Sequence, residues 1–224
     1  MKRSVIIVAG GKGLRMGSEI PKQFLLLKGK PVLAHTIEAF YCYDNSIKII
    51  LVLPEEQQSY WQQLQIKHGI NTPHTVVSGG ETRFHSVKNG LQHIDKNSFV
   101  AIHDGVRPLV STQIIDDAFA LANKAQAVYP AIPVTDTLRK GSFDNSVTVD
   151  RSQYHHVQTP QVFASSILLK AYEQKYSKFF TDDISVVENL GEVKPQAIPG
   201  DPSNIKITTP SDLIIAETLL KCRI

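Results

Sequence analysis

Three short motifs put glycines, cations and carboxylates where phosphate chemistry would need them. The first is Val8-Ala-Gly-Gly-Lys-Gly-Leu-Arg-Met-Gly17, directly after an apolar run. Gly10, Gly11 and Gly13 let a backbone turn sharply and bring its N–H groups against an anion. Two familiar phosphate loops do not fit. The Gly-x4-Gly-Lys-Ser/Thr spacing is absent. The G-x-G-x-x-G pattern opens at Gly11 and Gly13 but meets Met16, with Gly17 one residue late. The loop carries Lys12 and Arg15, and Lys22 follows Pro21. Side-chain cations in such a loop suit a triphosphate, whose charge must be neutralised; the bland alternative is a glycine-rich turn with solvated basic residues.

The second motif is Val77-Ser-Gly-Gly-Glu-Thr-Arg83, which closes one element and opens a helix. Gly79 and Gly80 again permit close backbone approach, and Ser86 falls one turn into the helix near its positive end. Glu81 is equally well explained as a favourable charge at a helix start. The third is His103-Asp-Gly-Val-Arg-Pro108, at the end of a buried strand. There Asp104 could bind a divalent metal or a ribose hydroxyl, or pair internally with Arg107. His103 reads as structural. Asp136-Thr137, Asp150-Arg151, Thr159-Pro-Gln161, Thr181-Asp-Asp183 and Asn204-Ile-Lys206 are weaker singly, and Thr181-Asp-Asp183 is the usual composition of a helix N-cap. His155-His156 lacks the spacing of a metal pair. No G-x-S-x-G elbow occurs, and neither Cys42 nor Cys222 stands in a nucleophile motif. The chemistry therefore needs no protein nucleophile, as in a nucleotidyl transfer where the acceptor's own phosphate attacks and the protein supplies position and charge.

Short β-branched runs alternating with helical patterns must position these motifs. Ser4–Ala9, Ile47–Leu53, Thr75–Val77, Ser98–His103 and Ala127–Ile132 read as strands. Pro31–Tyr43 and Ser111–Asn123 place their apolar residues on one helical face, with Ser111 as N-cap. Alternation of this kind implies parallel βαβ units: an α/β, doubly wound, mostly parallel sheet of Rossmann-like form, with ligands at the carboxyl ends of strands. The rhythm breaks at Pro133–Arg151, which reads as a long hairpin with no helix to cover it. An exposed ribbon of that kind asks for a partner surface, most simply a second subunit. Helices near 164–176 and 182–190, a strand near 193–198 and a last helix opened by Thr209-Pro210 complete the chain. Trp61, Phe24, Phe40 and Phe119 are assigned to the core. No linker is visible, so residues 1–224 are expected to form one domain, with 133–151 as an arm.

Composition excludes several classes. The chain has 224 residues, 42% apolar and 20% charged, an ordinary globular mixture. Twenty-four basic against 21 acidic side chains leave +3, with no basic stripe, so neither a nucleic-acid nor a membrane surface is expected. Two distant cysteines offer no zinc site or disulfide framework and suit a reducing compartment. The Val5–Ala9 run is shorter than the core of a secretion signal, and no run of ~20 apolar residues occurs. A cytoplasmic protein is expected.

Taken together, AGGKGLRMG, PKQF, GGETRFHSV, HDGVRP, DT, DR, TPQ and NIKIT occur in the order seen in 2-C-methyl-D-erythritol 4-phosphate cytidylyltransferases, which the chain resembles over nearly its whole length. The resemblance implies transfer of CMP from CTP to methylerythritol phosphate, giving CDP-methylerythritol and pyrophosphate in non-mevalonate isoprenoid synthesis. It implies that Ala9, Gly10 and Gly11 hold the nucleotide, with Gly80, Glu81 and Ser86 around cytosine and ribose. Arg15 and Lys22 would stabilise the transition state at the α-phosphorus. Arg151 and Lys206 would orient the acceptor, with Asp104, Arg107, Thr137, Thr159 and Thr181 around it. Mg2+ or another divalent cation would be carried mainly by the nucleotide phosphates, with Asp104 the protein carboxylate available to it. The hairpin would be an arm exchanged in a homodimer, so that Thr137 and Arg151 act in the partner's site. The chain has HDGVRP where many members have HDAARP, Asp182-Asp183 in place of Asp-Glu, and Glu81 where Asp is common. The first difference leans toward pentitol- or pentulose-phosphate cytidylyltransferases of the ribulose 5-phosphate type. A non-catalytic nucleotide-binding module and an NAD-dependent oxidoreductase are the remaining alternatives; the broken glycine spacing and the loop cations oppose the latter.

Overall fold

The computed structural model describes residues 1–11 and 20–222. Twelve strands are found there: β1 (Arg3–Val8), β2 (Leu26–Leu27), β3 (Lys30–Pro31), β4 (Lys48–Leu53), β5 (Thr75–Ser78), β6 (Phe99–Asp104), β7 (Ala127–Pro133), β8 (Leu138–Gly141), β9 (Ser146–Val149), β10 (His155–Val157), β11 (Gln161–Ala164) and β12 (Gln196–Pro199). The helices are α1 (Val32–Tyr43), α2 (Glu55–His68), α3 (Arg83–Leu91), α4 (Thr112–Ala125), α5 (Ser165–Ala171), α6 (Asp183–Leu190) and α7 (Pro210–Cys222). Eight strands share one sheet in the order β10-β7-β11-β6-β1-β4-β5, with β12 pairing β7 off that path.

The half that carries the motifs is parallel: β6, β1, β4 and β5 run side by side in the same direction. Helices cover both faces of β1, β4 and β6, which explains their continuous apolar runs Val5–Val8, Ile49–Leu53 and Phe99–Ile102 in place of alternation. Val5, Ile7, Leu51 and Ala101 face a layer containing Ile37, Phe40, Ile115 and Phe119. Ile6, Ile50, Val52 and Ile102 face the other layer, with Val87 and Leu168. Trp61, Phe24, Phe40 and Phe119 are all core residues, as expected. The other half departs from the simple parallel pattern. Strand β11 is inserted antiparallel to both β6 and β7, and β10 is antiparallel to β7. The sheet is therefore mixed, with its parallel half on the side of the glycine loop.

Two helices differ from the sequence expectation. Helix α2 has only Trp61 and Leu64 buried, so it gives little apolar periodicity. Its ends are nevertheless marked: Pro54 precedes it, Glu55 and Glu56 stand in its first turn, and Gly69 closes it in the left-handed conformation. Helix α5 ends at Ala171 and does not continue to residue 176. Its next residue, Tyr172, turns its hydroxyl toward Asp183 at the start of α6. The hairpin forms as β8 and β9, paired antiparallel over Leu138–Val149 and separate from the main sheet. Phe143 at its tip is fully exposed and Val147 largely so.

Candidate active site

Each strand of the parallel half delivers backbone to one cleft, of about 710 Å³, at the carboxyl ends. The ladder runs one bond past each strand. Ala9 N–H donates to Val52 O (3.0 Å), Gly79 N–H to Leu53 O (2.8 Å) and Gly105 N–H to Val8 O (2.9 Å). The motif residues after β1, β5 and β6 are thus fixed to the sheet before any ligand arrives. Ala9, Gly10, Gly11, Lys22, Gly80, Glu81, Ser86, Asp104 and Lys206 all line this cleft. Arg15 lies outside the described residues.

Among the described residues nothing crowds Gly10 or Gly11: a Cβ on Gly10 would come no nearer than 3.8 Å to Pro54, and one on Gly11 would meet only Lys22 Cε at 3.8 Å. Their bare backbone faces the cleft, which is the arrangement a closely approaching phosphate requires. Gly80 is different: a Cβ there would stand 2.5 Å from His85 Cβ, so packing against α3 demands glycine. Gly80 N–H also donates to Ser86 Oγ (3.0 Å), and Thr82 caps α3 through His85 N–H. Gln23 is buried and lines the same cleft. Its amide nitrogen donates to Ala9 O and to Gln57 Oε1, both at 2.8 Å, tying the loop's start to α2.

Asp104 is the electrostatic centre. Its Oδ2 accepts from Lys206 Nζ (3.0 Å) and Arg107 Nε (3.3 Å). Burial pushes its carboxyl up, but Lys206, Arg83 and Arg107 outweigh that and hold it well below the usual carboxylate range. Arg107 does not line the cleft. It turns inward, as the internal ion pair weighed from the sequence, and its Nη1 also donates to Asn204 O (2.8 Å). With Ile207 N–H bonded to Val106 O (2.9 Å), that contact delivers Lys206 to the site. Thr159 is buried behind Asp104. Its Oγ1 accepts from Asp104 N–H (3.1 Å) and lies 3.0 Å from His103 Nδ1, while His103 Nε2 reaches Arg107 O (3.1 Å). Burial pushes His103 down to about 4, so the ring is a neutral strut at physiological pH, in keeping with its structural assignment.

A second charge pair, absent from the expected site residues, completes the wall. Arg83 lines the cleft, and its Nη1 and Nη2 donate to the two oxygens of Asp183 at 2.9 and 2.6 Å. Burial works against the Arg83 charge, but Asp183 outweighs it and raises the guanidinium above its ordinary value. Asp182 is the N-cap of α6, as its composition suggested: it accepts from Ser185 N–H, and Ser185 Oγ returns the bond. Thr137, Arg151 and Thr181 are exposed and lie outside the cleft lining. Arg151 donates to Thr135 O at the base of the hairpin. Among the described residues no group of three His, Cys, Asp or Glu side chains could hold a metal ion.

A glycine-bearing cleft lined with cations, at the carboxyl ends of a parallel half-sheet, defines an α/β protein of the nucleotidyltransferase class. The family described as IspD: 2-C-methyl-D-erythritol 4-phosphate cytidylyltransferase matches residues 4–222. The chain belongs to that family. It is 60% identical, over 98% of its length and 99% of the relative's, to the 2-C-methyl-D-erythritol 4-phosphate cytidylyltransferase of Azobacteroides pseudotrichonymphae. It is 54% identical to that of Bacteroides thetaiotaomicron, over 98% and 100%. Among solved structures, the 4-diphosphocytidyl-2C-methyl-D-erythritol synthase of Anaerococcus prevotii aligns with a TM-score of 0.81 at 29% identity, covering 98% of both chains. The Thermus thermophilus cytidylyltransferase aligns at 0.77 and 28%, covering 99% of this chain and 100% of its own.

Proposed function

We propose that this chain transfers CMP from CTP to 2-C-methyl-D-erythritol 4-phosphate, releasing pyrophosphate. One observation carries the reading: the open backbone at Gly10 and Gly11 shares a cleft with Lys22 and Lys206. In the reaction an acceptor phosphate oxygen attacks the α-phosphorus of CTP. A new P–O bond forms, the bond to the bridging oxygen of the β-phosphate breaks, and pyrophosphate leaves with that electron pair. The chain's part is placement and charge. The amides of Gly10 and Gly11 and the Lys22 ammonium lie where the triphosphate would sit, with Ala9 lining the cleft beside them while its own N–H is held by Val52 O, and Arg15 joins them on the family pattern. Gly80, Glu81 and Ser86 stand where the base and ribose would lie. Lys206, anchored on Asp104, faces the acceptor, with Thr159 holding Asp104 from behind and Arg107 holding the Lys206 segment.

A divalent cation such as Mg2+ fits this donor set as a companion of the nucleotide. Asp104 offers one carboxylate, Glu55 and Glu56 line the same cleft, and Mg2+ is usually held by one or two carboxylates and substrate phosphates. When bound it would neutralise phosphate charge. Thr137 and Arg151 lie on or beside the uncovered hairpin, outside the cleft, and we assign them to the acceptor site of a second copy of the chain in a homodimer. Thr181 precedes the Asp182 N-cap of α6, and on the family pattern we assign it to the acceptor. Among the described residues no helix is long and apolar enough to cross a membrane; we place the reaction in the cytoplasm, and no nucleic acid or membrane is a partner.

The test is pyrophosphate release with CTP, ATP, GTP or UTP, against methylerythritol phosphate and ribulose or ribitol 5-phosphate. Turnover restricted to CTP with methylerythritol phosphate is expected. Preference for a pentose-derived acceptor would reassign the substrate, and CTP binding without pyrophosphate release would make the chain a binding module.

A further inference from the structure

The Arg83–Asp183 pair has a shape that stability alone does not explain. Asp183 is fully buried, whereas the Arg83 side chain it grips is about a third exposed and lines the cleft. The carboxylate is saturated: beyond the two Arg83 contacts, its Oδ1 accepts the Tyr172 hydroxyl at 2.6 Å. Its backbone N–H donates to Gln161 Oε1 at 3.0 Å. Tyr172 is itself buried and stacks on Phe84, ring centroids 4.7 Å apart. Burying a carboxylate to hold one arginine gains little net stability over an apolar replacement. What it yields is a planar, charged donor set locked in one orientation on the surface of a substrate cleft. Arg83 lines the same cleft as the Asp104–Lys206 pair, and its charge helps to keep Asp104 ionised.

We propose that Arg83 binds an oxygen of the acceptor, a sugar-alcohol phosphate, and that Asp183 is its positioning residue, held in turn by Tyr172 and Gln161. This rests on the cytidylyltransferase reading. Nη1 and Nη2 each donate to Asp183, and Arg83 lines the same cleft as Lys206.

The test is steady-state pyrophosphate release by the full chain, varying methylerythritol phosphate at saturating CTP and the reverse, with a thermal melt of each variant. Arg83→Lys keeps the charge and loses the fork. It is expected to raise the KM for the acceptor roughly tenfold, the scale of one charge-assisted hydrogen bond, and to leave the KM for CTP within about twofold. Asp183→Asn is expected to act in the same direction. The double variant Arg83→Lys/Asp183→Asn is expected to be no worse than Arg83→Lys alone, because both changes remove one interaction. Should Asp183→Asn fail to fold, Tyr172→Phe, which deletes a single hydrogen bond to Asp183, is expected to raise the acceptor KM by a smaller factor. An active wild type with unchanged acceptor KM in Arg83→Lys, a rise in CTP KM instead, or additive losses in the double variant would each overturn the inference while leaving the functional reading intact. A wild type inert with CTP and methylerythritol phosphate would overturn both.

Discussion

Asp104→Asn isolates the charge at the centre of the site. The substitution keeps the side chain's size and one acceptor oxygen, and removes the negative charge that Lys206 and Arg107 share at 3.0 and 3.3 Å. Removing one partner of a fully buried pair costs about 3–5 kcal/mol. Two features reduce that here. Lys206 is 43% exposed, so water screens it, and Arg107 keeps the Asn204 carbonyl. A loss of about 2 kcal/mol at neutral pH follows, or roughly 4–8 °C in Tm for a chain of this length. The pH dependence has a definite sign. The Asp104 carboxyl is depressed in the folded protein below its ordinary 3.8. Its contribution is therefore fully present above that value and is lost as pH falls through the lower, folded value. The stability gap between wild type and variant, measured by urea unfolding from pH 7 downward, should stay constant to about pH 5 and close below 3.8. A gap that is absent at pH 7, or one that persists undiminished below pH 3, would refute the assignment of Asp104 as an ionised clamp.

Lys22→Ala should lower kcat by about 10²–10³, the usual cost of one transition-state donor, with its urea transition as cooperative as that of the wild type; near-normal turnover would remove Lys22 from the mechanism. Gly11→Ala should fold normally, because among the described residues its Cβ would meet only Lys22 Cε at 3.8 Å, and should weaken CTP binding measured by calorimetry; unchanged affinity would mean that no phosphate approaches that backbone. Mixing inactive Lys22→Ala and Arg151→Ala subunits should restore some activity if the hairpin reaches into a partner's site; verified mixed dimers without recovery would locate Arg151's role elsewhere. Chelation by EDTA should abolish pyrophosphate release and excess Mg2+ should restore it; full turnover in EDTA would show that the side-chain cations suffice.

What could be read from the sequence follows from where each signal is stored. Strand β1 announces itself because both of its faces are buried, so Val5, Ile6 and Ile7 need no alternation. The N-cap at Ser111 was readable because capping is local: its hydroxyl accepts from Ile114 N–H, three residues on. Helix α2 had no such stripe, since only two of its residues are buried, and its signals lay in Pro54, the acidic first turn and Gly69. Strand β11 is four residues long and buried throughout. Its insertion antiparallel between β6 and β7 is a tertiary choice that no short run encodes.

The site divides along the same line. Gly10, Gly11 and Asp104 were visible because each stands at or just past a strand end, and strand ends in a parallel sheet are where ligands collect; Lys22, fourteen residues past β1, was carried by the motif pattern. The Arg83–Asp183 pair spans 100 residues of sequence, and nothing in the spacing of either motif foretells it. Arg107 was visible as a residue, with its contact left open: from its position beside Asp104 it suits a ligand pocket and an internal ion pair equally well. Only the fold decides, by setting the Asn204 carbonyl 2.8 Å from its guanidinium. The consequence is a division of labour among the cations. Arg107 is consumed in holding the frame, and Lys206 and Arg83 are each presented to the cleft by a carboxylate. In the proposed reaction, where the acceptor's own phosphate is the nucleophile, orienting those cations in advance is the protein's main means of lowering the barrier, since donors fixed before the reaction need not reorganise as charge develops.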